Sequence, residues 1–216
     1  MKQALIIAGG RMEPEFFRAY MDAYTFDFMA AVDFGLQFFY DAGLRPDLIV
    51  GDFDSVEKDR LRFFEGQKDI AWIRLNPEKD DTDTEAALRE TLKRGYEKIH
   101  ILGGTGGRVD HMLGNVGLLG IGLKTNTEIL LVDAKNRIRM IQNDFSIAKK
   151  EQYGTYISLL PVTPEVTGIT LSGMKYPLKD FTMKQFGTIG VSNEIVEDLA
   201  EIRLRDGILL VAESRD

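Results

Sequence analysis

The chain has no cysteine, only two histidines, and no apolar run long enough to span a bilayer. Without thiols there can be no disulfide staples, thiolate metal ligands or cysteine nucleophile. His100 and His111 are too few for a multi-histidine zinc site. The uncharged stretch of residues 112–123 falls short of the ~20 residues a membrane helix needs, and Gly114, Gly117, Gly120 and Gly122 punctuate it. The apolar run after Lys2 ends at Gly9-Gly10-Arg11 without a signal peptide's cleavage region and reads as a first core strand. Basic excess is missing too. A formal charge of −7 leaves no footprint for nucleic-acid backbone. The expectation is a soluble, cytoplasmic protein with neither nucleic-acid nor membrane partners.

What is present is material for a core and a change of texture partway along. From residue 2 to about 133 the pattern alternates strand and helix. Strands are predicted at residues 3–8, 28–32, 48–50, 71–75, 98–102 and 128–132, with apolar residues spaced at three and four over 56–64, 85–94 and 112–124. Short apolar strands between amphipathic helices predict a largely parallel sheet covered on both faces. Beyond Asp133 the strands predicted at 137–141, 145–148, 156–160, 166–171, 201–204 and 208–213 are separated by turn residues, with no long helical pattern. The fold class expected is α/β plus all-β: an N-terminal α/β domain over residues 1–135, then a smaller β-sandwich or partly closed barrel over 136–216.

Three acidic stretches each follow a predicted strand and precede a helical pattern. In a parallel sheet such turns emerge on one edge, so residues distant in sequence meet there. Carboxylates gathered that way repel by about 4 kcal/mol per pair at ~4 Å and a dielectric of ~20. A Mg²⁺ ion beside substrate phosphates removes that cost. In Gly51-Asp52-Phe53-Asp54-Ser55, two carboxylates two residues apart point the same way if the backbone stays extended; alternatively Asp54 or Ser55 caps a helix starting at Val56. In Lys79-Asp80-Asp81-Thr82-Asp83, Thr82 and Glu85 have capping-box spacing. Asp83 could complete a metal site and Lys79 could contact a phosphate, while Asp81 reads as surface. Gly103-Gly104-Thr105-Gly106-Gly107-Arg108 can offer backbone N–H groups and a guanidinium to an anion, but is not a Walker-A loop. Asp110 is a candidate N-cap, His111 a partner for neighbouring backbone, and His100 a core residue. Asp33-Phe34-Gly35 spells a protein-kinase metal motif without the rest of that signature. Its Asp33 nevertheless ends a strand on the presumed ligand edge. Ser192-Asn193-Glu194 reads as a β-turn with Asn at a strained position, or as part of a site.

Together these stretches resemble the thiamine pyrophosphokinase (thiamine diphosphokinase) family. The anchors are residues 46–55, Lys79-Asp80 with Thr82-Asp83, and Gly106-Gly107-Arg108-Val109-Asp110-His111. In the second half they are residues 171–178 and Ser192-Asn193-Glu194. The resemblance implies transfer of diphosphate from ATP to the thiamine hydroxyl, with release of AMP. It also implies a nucleotide-binding first domain, a thiamine-binding second domain, and a homodimer with active sites at the subunit interface. Carried over by position, Asp52, Asp54 and Asp83 are the Mg²⁺ ligands. Lys79, Asp80, Thr82, Gly106, Gly107, Arg108 and Asp110 are nucleotide and thiamine contacts, and Ser192 and Asn193 belong to the thiamine pocket. Asp33-Phe34-Gly35 departs from the family's usual Asp-Gly-Gly.

Diphosphate transfer needs positioning and charge neutralisation above all, with a proton acceptor for the hydroxyl, for which Asp80 and Asp110 are candidates. Two rival readings follow from the same residues. Asp52-Phe53-Asp54-Ser55-Val56 fits the nucleophile motif of haloacid-dehalogenase-like phosphatases, with Asp52 phosphorylated and Asp54 as acid/base. A non-catalytic nucleotide sensor is the other.

Overall fold

The computed structural model describes residues 2–54, 56–76 and 81–216, and the chain divides into two compact units, residues 1–134 and 135–216. In the first unit, β1 (Gln3–Ile7), β2 (Phe28–Val32), β3 (Leu48–Gly51), β4 (Ala71–Arg74), β5 (Lys98–Leu102) and β6 (Glu128–Val132) pair in the order β6-β5-β1-β2-β3-β4. Every pairing is parallel. β3 is buried along its whole length, and β1, β5 and β6 everywhere but the first residue. Burial on both faces explains their unbroken apolar runs. Each fully buried Leu, Ile or Val there contributes roughly 1.5–3 kcal/mol.

The helices are α1 (Pro14–Ala23), α2 (Leu36–Asp41), α3 (Lys58–Glu65), α4 (Asp83–Leu92) and α5 (Val109–Thr125). α4 begins as the capping-box spacing predicts: Thr82 is the N-cap, and its hydroxyl accepts from the Glu85 backbone N–H at 3.2 Å. Asp83 and Glu85 place negative charge in the first turn, where the helix dipole favours it. α3 departs from expectation. It starts at Lys58, with Glu57 as N-cap and no side-chain cap bond, so Asp54 does not cap it. Ser55, the other candidate, lies outside the described residues, as do Lys79 and Asp80.

The strand order reverses between β5 and β1. The chain fills one side of β1 with β2, β3 and β4, then crosses to add β5 and β6 on the other. Such a switch point opens a crevice at the strands' carboxyl ends. The Gly9-Gly10-Arg11 turn and the 103–108 turn flank it and are tied together by Gly10 N–H to Gly103 O and Arg11 N–H to Gly106 O, both 2.8 Å.

The second unit is all β. β7 (Asn136–Ile141), β9 (Tyr156–Pro161), β12 (Asn193–Glu194) and β14 (Leu209–Ser214) pair antiparallel in the order β12-β9-β14-β7. β8 (Phe145–Ala148), β10 (Glu165–Ser172), β11 (Leu178–Lys184) and β13 (Leu199–Arg203) form a second antiparallel sheet in the order β11-β10-β13-β8. Ile157, Leu159, Val166, Ile169, Ile202 and Val211 lie fully or almost fully buried in the core between them. Glu213 is also fully buried, and accepts from Arg137 at 2.7 Å and from Arg139 at 2.6 Å. β11 and β12 were not among the predicted strands. Of β11 only Met183 is buried, so it carries almost no periodic signal.

Candidate active site

A cavity of about 450 Å³ lies over the switch point, lined by Gly9, Gly10, Arg11, Asp33, Phe34, Thr82, Asp83, the 103–108 turn, His111 and Asn115 among others. A second cavity of about 240 Å³ shares Thr82, Thr84, His111 and Asn115 with it and adds Glu85 and Asp110. The turn is braced from beneath. Asn115 on α5 donates to Gly104 O at 2.9 Å, and the Thr105 hydroxyl donates to Asp133 at 2.7 Å. Gly106 packs so closely against Arg11 O that a Cβ there would come within 1.9 Å of it. The Gly107 N–H is engaged within the turn, bonding to Thr105 O at 3.1 Å.

Opposite the turn stand the carboxylates. The Asp33 side chain lies within hydrogen-bonding reach of Asp83, and Asp52 adds further negative potential. Burial first, and the Asp83 carboxylate next, push the Asp33 carboxyl up from 3.8 to about 7, while the Phe53 backbone N–H donates to it and lowers it. One Asp33 oxygen, Oδ1, is buried without a hydrogen-bond partner. Asp33 reaches this position because Gly51 has no side chain: a Cβ there would fall 1.8 Å from Oδ1. Asp33 is the site residue that sequence reasoning placed too low. The usable signal was its place at the end of β2, level with the ends of β1 and β3.

The 52–54 segment is not extended. Phe53 has φ 64° and is buried, which breaks the alternation that would point Asp52 and Asp54 the same way. Instead Asp52 Oδ1 accepts the Asp54 backbone N–H at 3.1 Å, and Asp54 is exposed. Among the described residues, no three or more His, Cys, Asp or Glu are gathered closely enough to hold a metal ion by themselves. An orphaned buried oxygen beside a second carboxylate is nonetheless the donor chemistry that a hard divalent cation satisfies.

Arg108 is the N-cap position of α5, so Asp110 is not the cap but a first-turn residue. Arg108 grips Asp110 with two bonds, of 2.6 and 3.1 Å. That guanidinium holds the Asp110 carboxyl down at about 2, with the His111 backbone N–H assisting. His111 lines both cavities, a position its expected structural role did not anticipate. His100 is core, bonded to the Tyr20 hydroxyl at 2.6 Å and Gln3 at 2.9 Å. Asp81 is half-exposed and 3.8 Å from Arg89, in keeping with a surface role.

Within Ser192-Asn193-Glu194 the strained residue is Ser192, with φ 58°, rather than Asn193. Asn193 starts β12 and is buried; its Oδ1 accepts from the Tyr176 and Glu194 N–H groups and its Nδ2 donates to Tyr176 O at 2.8 Å. Its amide is therefore spent on positioning residues 174–176. Ser192 is exposed, and its backbone N–H donates to Ser158 Oγ at 3.0 Å.

The sequence and the fold are similar to those of known proteins. A model of the thiamin pyrophosphokinase catalytic domain matches residues 23–131, and one of that enzyme's vitamin B1 binding domain matches residues 142–209. Thiamine pyrophosphokinase of Bacillus subtilis (strain 168) is 35% identical to the chain over 100% of each. A crystal structure of thiamine pyrophosphokinase from Bacillus subtilis superposes with a TM-score of 0.89 over 100% of both chains at 35% identity. Thiamin pyrophosphokinase from Geobacillus thermodenitrificans, 30% identical, gives 0.86 over 99% of this chain and 98% of that one. Both halves of the chain and its whole length agree in one assignment: it belongs to the thiamin pyrophosphokinase family.

Proposed function

We propose that the ATP-dependent transfer of diphosphate to thiamine, the reaction of this family, takes place in the cavity over the β5–β1 switch point. The observation that carries this reading is the Asp33–Asp83 contact, with its unpartnered oxygen, facing a glycine turn across one cavity. Asp33 and Asp83, with Asp52 adding negative potential beside them, would hold Mg²⁺, which when bound supplies positive charge to the phosphate oxygens; Asp54, exposed beyond the turn at Phe53, is a ligand by the family resemblance alone. Arg108 and the 103–107 turn bind the phosphate chain, with Thr82 at its edge; Lys79 is a phosphate contact by the family resemblance. The thiamine hydroxyl oxygen forms a bond to the β-phosphorus, the bond from that phosphorus to the α–β bridging oxygen breaks, and AMP leaves. The hydroxyl proton needs an acceptor. Asp110, drawn down to about 2 by Arg108, is a poor base while paired. Asp80 is then the better candidate.

The second unit is assigned to thiamine, with Ser192 as the contact and Asn193 as the residue that positions the strand around it. A homodimer in which the partner subunit brings this region to the cavity is supported by the exposed apolar side chains of Tyr176, Ile189 and Val191 nearby in sequence. Sedimentation at micromolar concentration tests the dimer; a monomer mass removes it. The phosphatase alternative, with Asp52 as nucleophile, does not survive family membership. Incubation with ATP, Mg²⁺ and thiamine should yield AMP and thiamine diphosphate in equal amounts. Release of inorganic phosphate without AMP would contradict the proposal.

A further inference from the structure

We propose that Phe34 is a specificity-determining residue, the platform on which the adenine ring of ATP stacks; this rests on the reading of the large cavity as the ATP site. Phe34 lines that cavity and is 40% exposed. Among the described lining residues, the only other ring is His111, on α5. The remaining walls are glycine turns, small aliphatics, threonines, an amide, Arg11, Arg108 and the carboxylates. Such walls suit phosphates and a cation but offer no extended face to a heterocycle. Stacking on an aromatic ring is the usual way a base is held where no edge is read.

The ring is also held in place before any ligand arrives. Asp33 has φ 44°, a left-handed conformation that directs its carboxylate beside Asp83 while the next residue lines the opening. Behind Phe34 the chain is pressed against β1, since a Cβ on Gly35 would lie 2.1 Å from Ile7 O. Phe38 packs edge-on to the Phe34 ring at 6.5 Å and 90°, and itself packs on Phe17 of α1 at 5.8 Å. A braced ring loses little freedom when a ligand stacks on it, so more of the contact energy appears as affinity. Because stacking reads the ring face and not its hydrogen-bonding edge, ATP and GTP should be accepted alike and UTP less well.

Steady-state kinetics of wild type, Phe34→Ala and Phe34→Tyr test this, with ATP, GTP and UTP as donors and inorganic triphosphate as a base-free competitor. Phe34→Ala should raise KM for ATP about 5- to 150-fold, the usual worth of one base–aromatic stack. KM for thiamine and inhibition by triphosphate should stay as in wild type, and Phe34→Tyr should retain ATP affinity. An unchanged KM for ATP in Phe34→Ala overturns the proposal. So does a rise confined to thiamine, which would give the ring to the other substrate's heterocycle, or an equal loss of triphosphate inhibition, which would mean that the cavity itself had been disturbed. Failure of the wild type to form AMP and thiamine diphosphate would instead remove the reading on which the proposal rests.

Discussion

Asp33 combines a left-handed backbone, a carboxylate in contact with another carboxylate, and an oxygen with no partner. Each feature costs stability, a cost that a cation bound there, as proposed, would offset. Its carboxyl is pushed up to about 7 by burial and by Asp83, so folding favours the protonated form. That contribution is complete below about pH 4 and is lost as pH rises through about 7. Without divalent ions the protein should therefore melt at a lower temperature at pH 8 than at pH 5. Mg²⁺ should recover the difference at pH 8. Asp33→Asn should flatten the pH dependence and reduce the gain from Mg²⁺; thermal melts with and without the ion check this, and identical curves for the variant and wild type would refute it. At this scale the residue types proposed to carry the chemistry were more legible in the sequence than their geometry. Asp52 and Asp83 were evident from their positions after β3 and at the start of α4. Phe53 with φ 64° and Ser192 with φ 58° were not, because residues with side chains seldom adopt that conformation and nothing in their type signals it.

Elements were legible where one physical rule governed them. Doubly buried strands β1, β3, β5 and β6 appear as continuous apolar runs, and the Thr82–Glu85 spacing fixed the start of α4. Ends were less legible. α5 begins at Val109, three residues before the apolar pattern predicted, because the three residues it gains, Val109, Asp110 and His111, are exposed and carry no apolar period. In the second unit β12 is two residues long and is fixed by pairing with β9, a long-range contact that leaves no local periodicity. Tertiary pairing, not propensity, decides such short strands.

On the scale of the molecule, the parallel sheet gathers the ends of β2 and β3 and the start of α4, so that residues 33, 52 and 83 influence one another across some fifty positions of sequence. The same order reversal that opens the crevice puts the glycine turn across from them. On the proposed reading, binding of a triphosphate with its metal and transfer of diphosphate would both follow from that arrangement. The most direct test is the turnover of Asp83→Asn at saturating Mg²⁺, ATP and thiamine, with the fold verified by its melting transition. Loss of a charged group that stabilises phosphoryl transfer should lower kcat by about two or more orders of magnitude. A kcat near that of wild type would contradict the assignment of this carboxylate edge to the reaction.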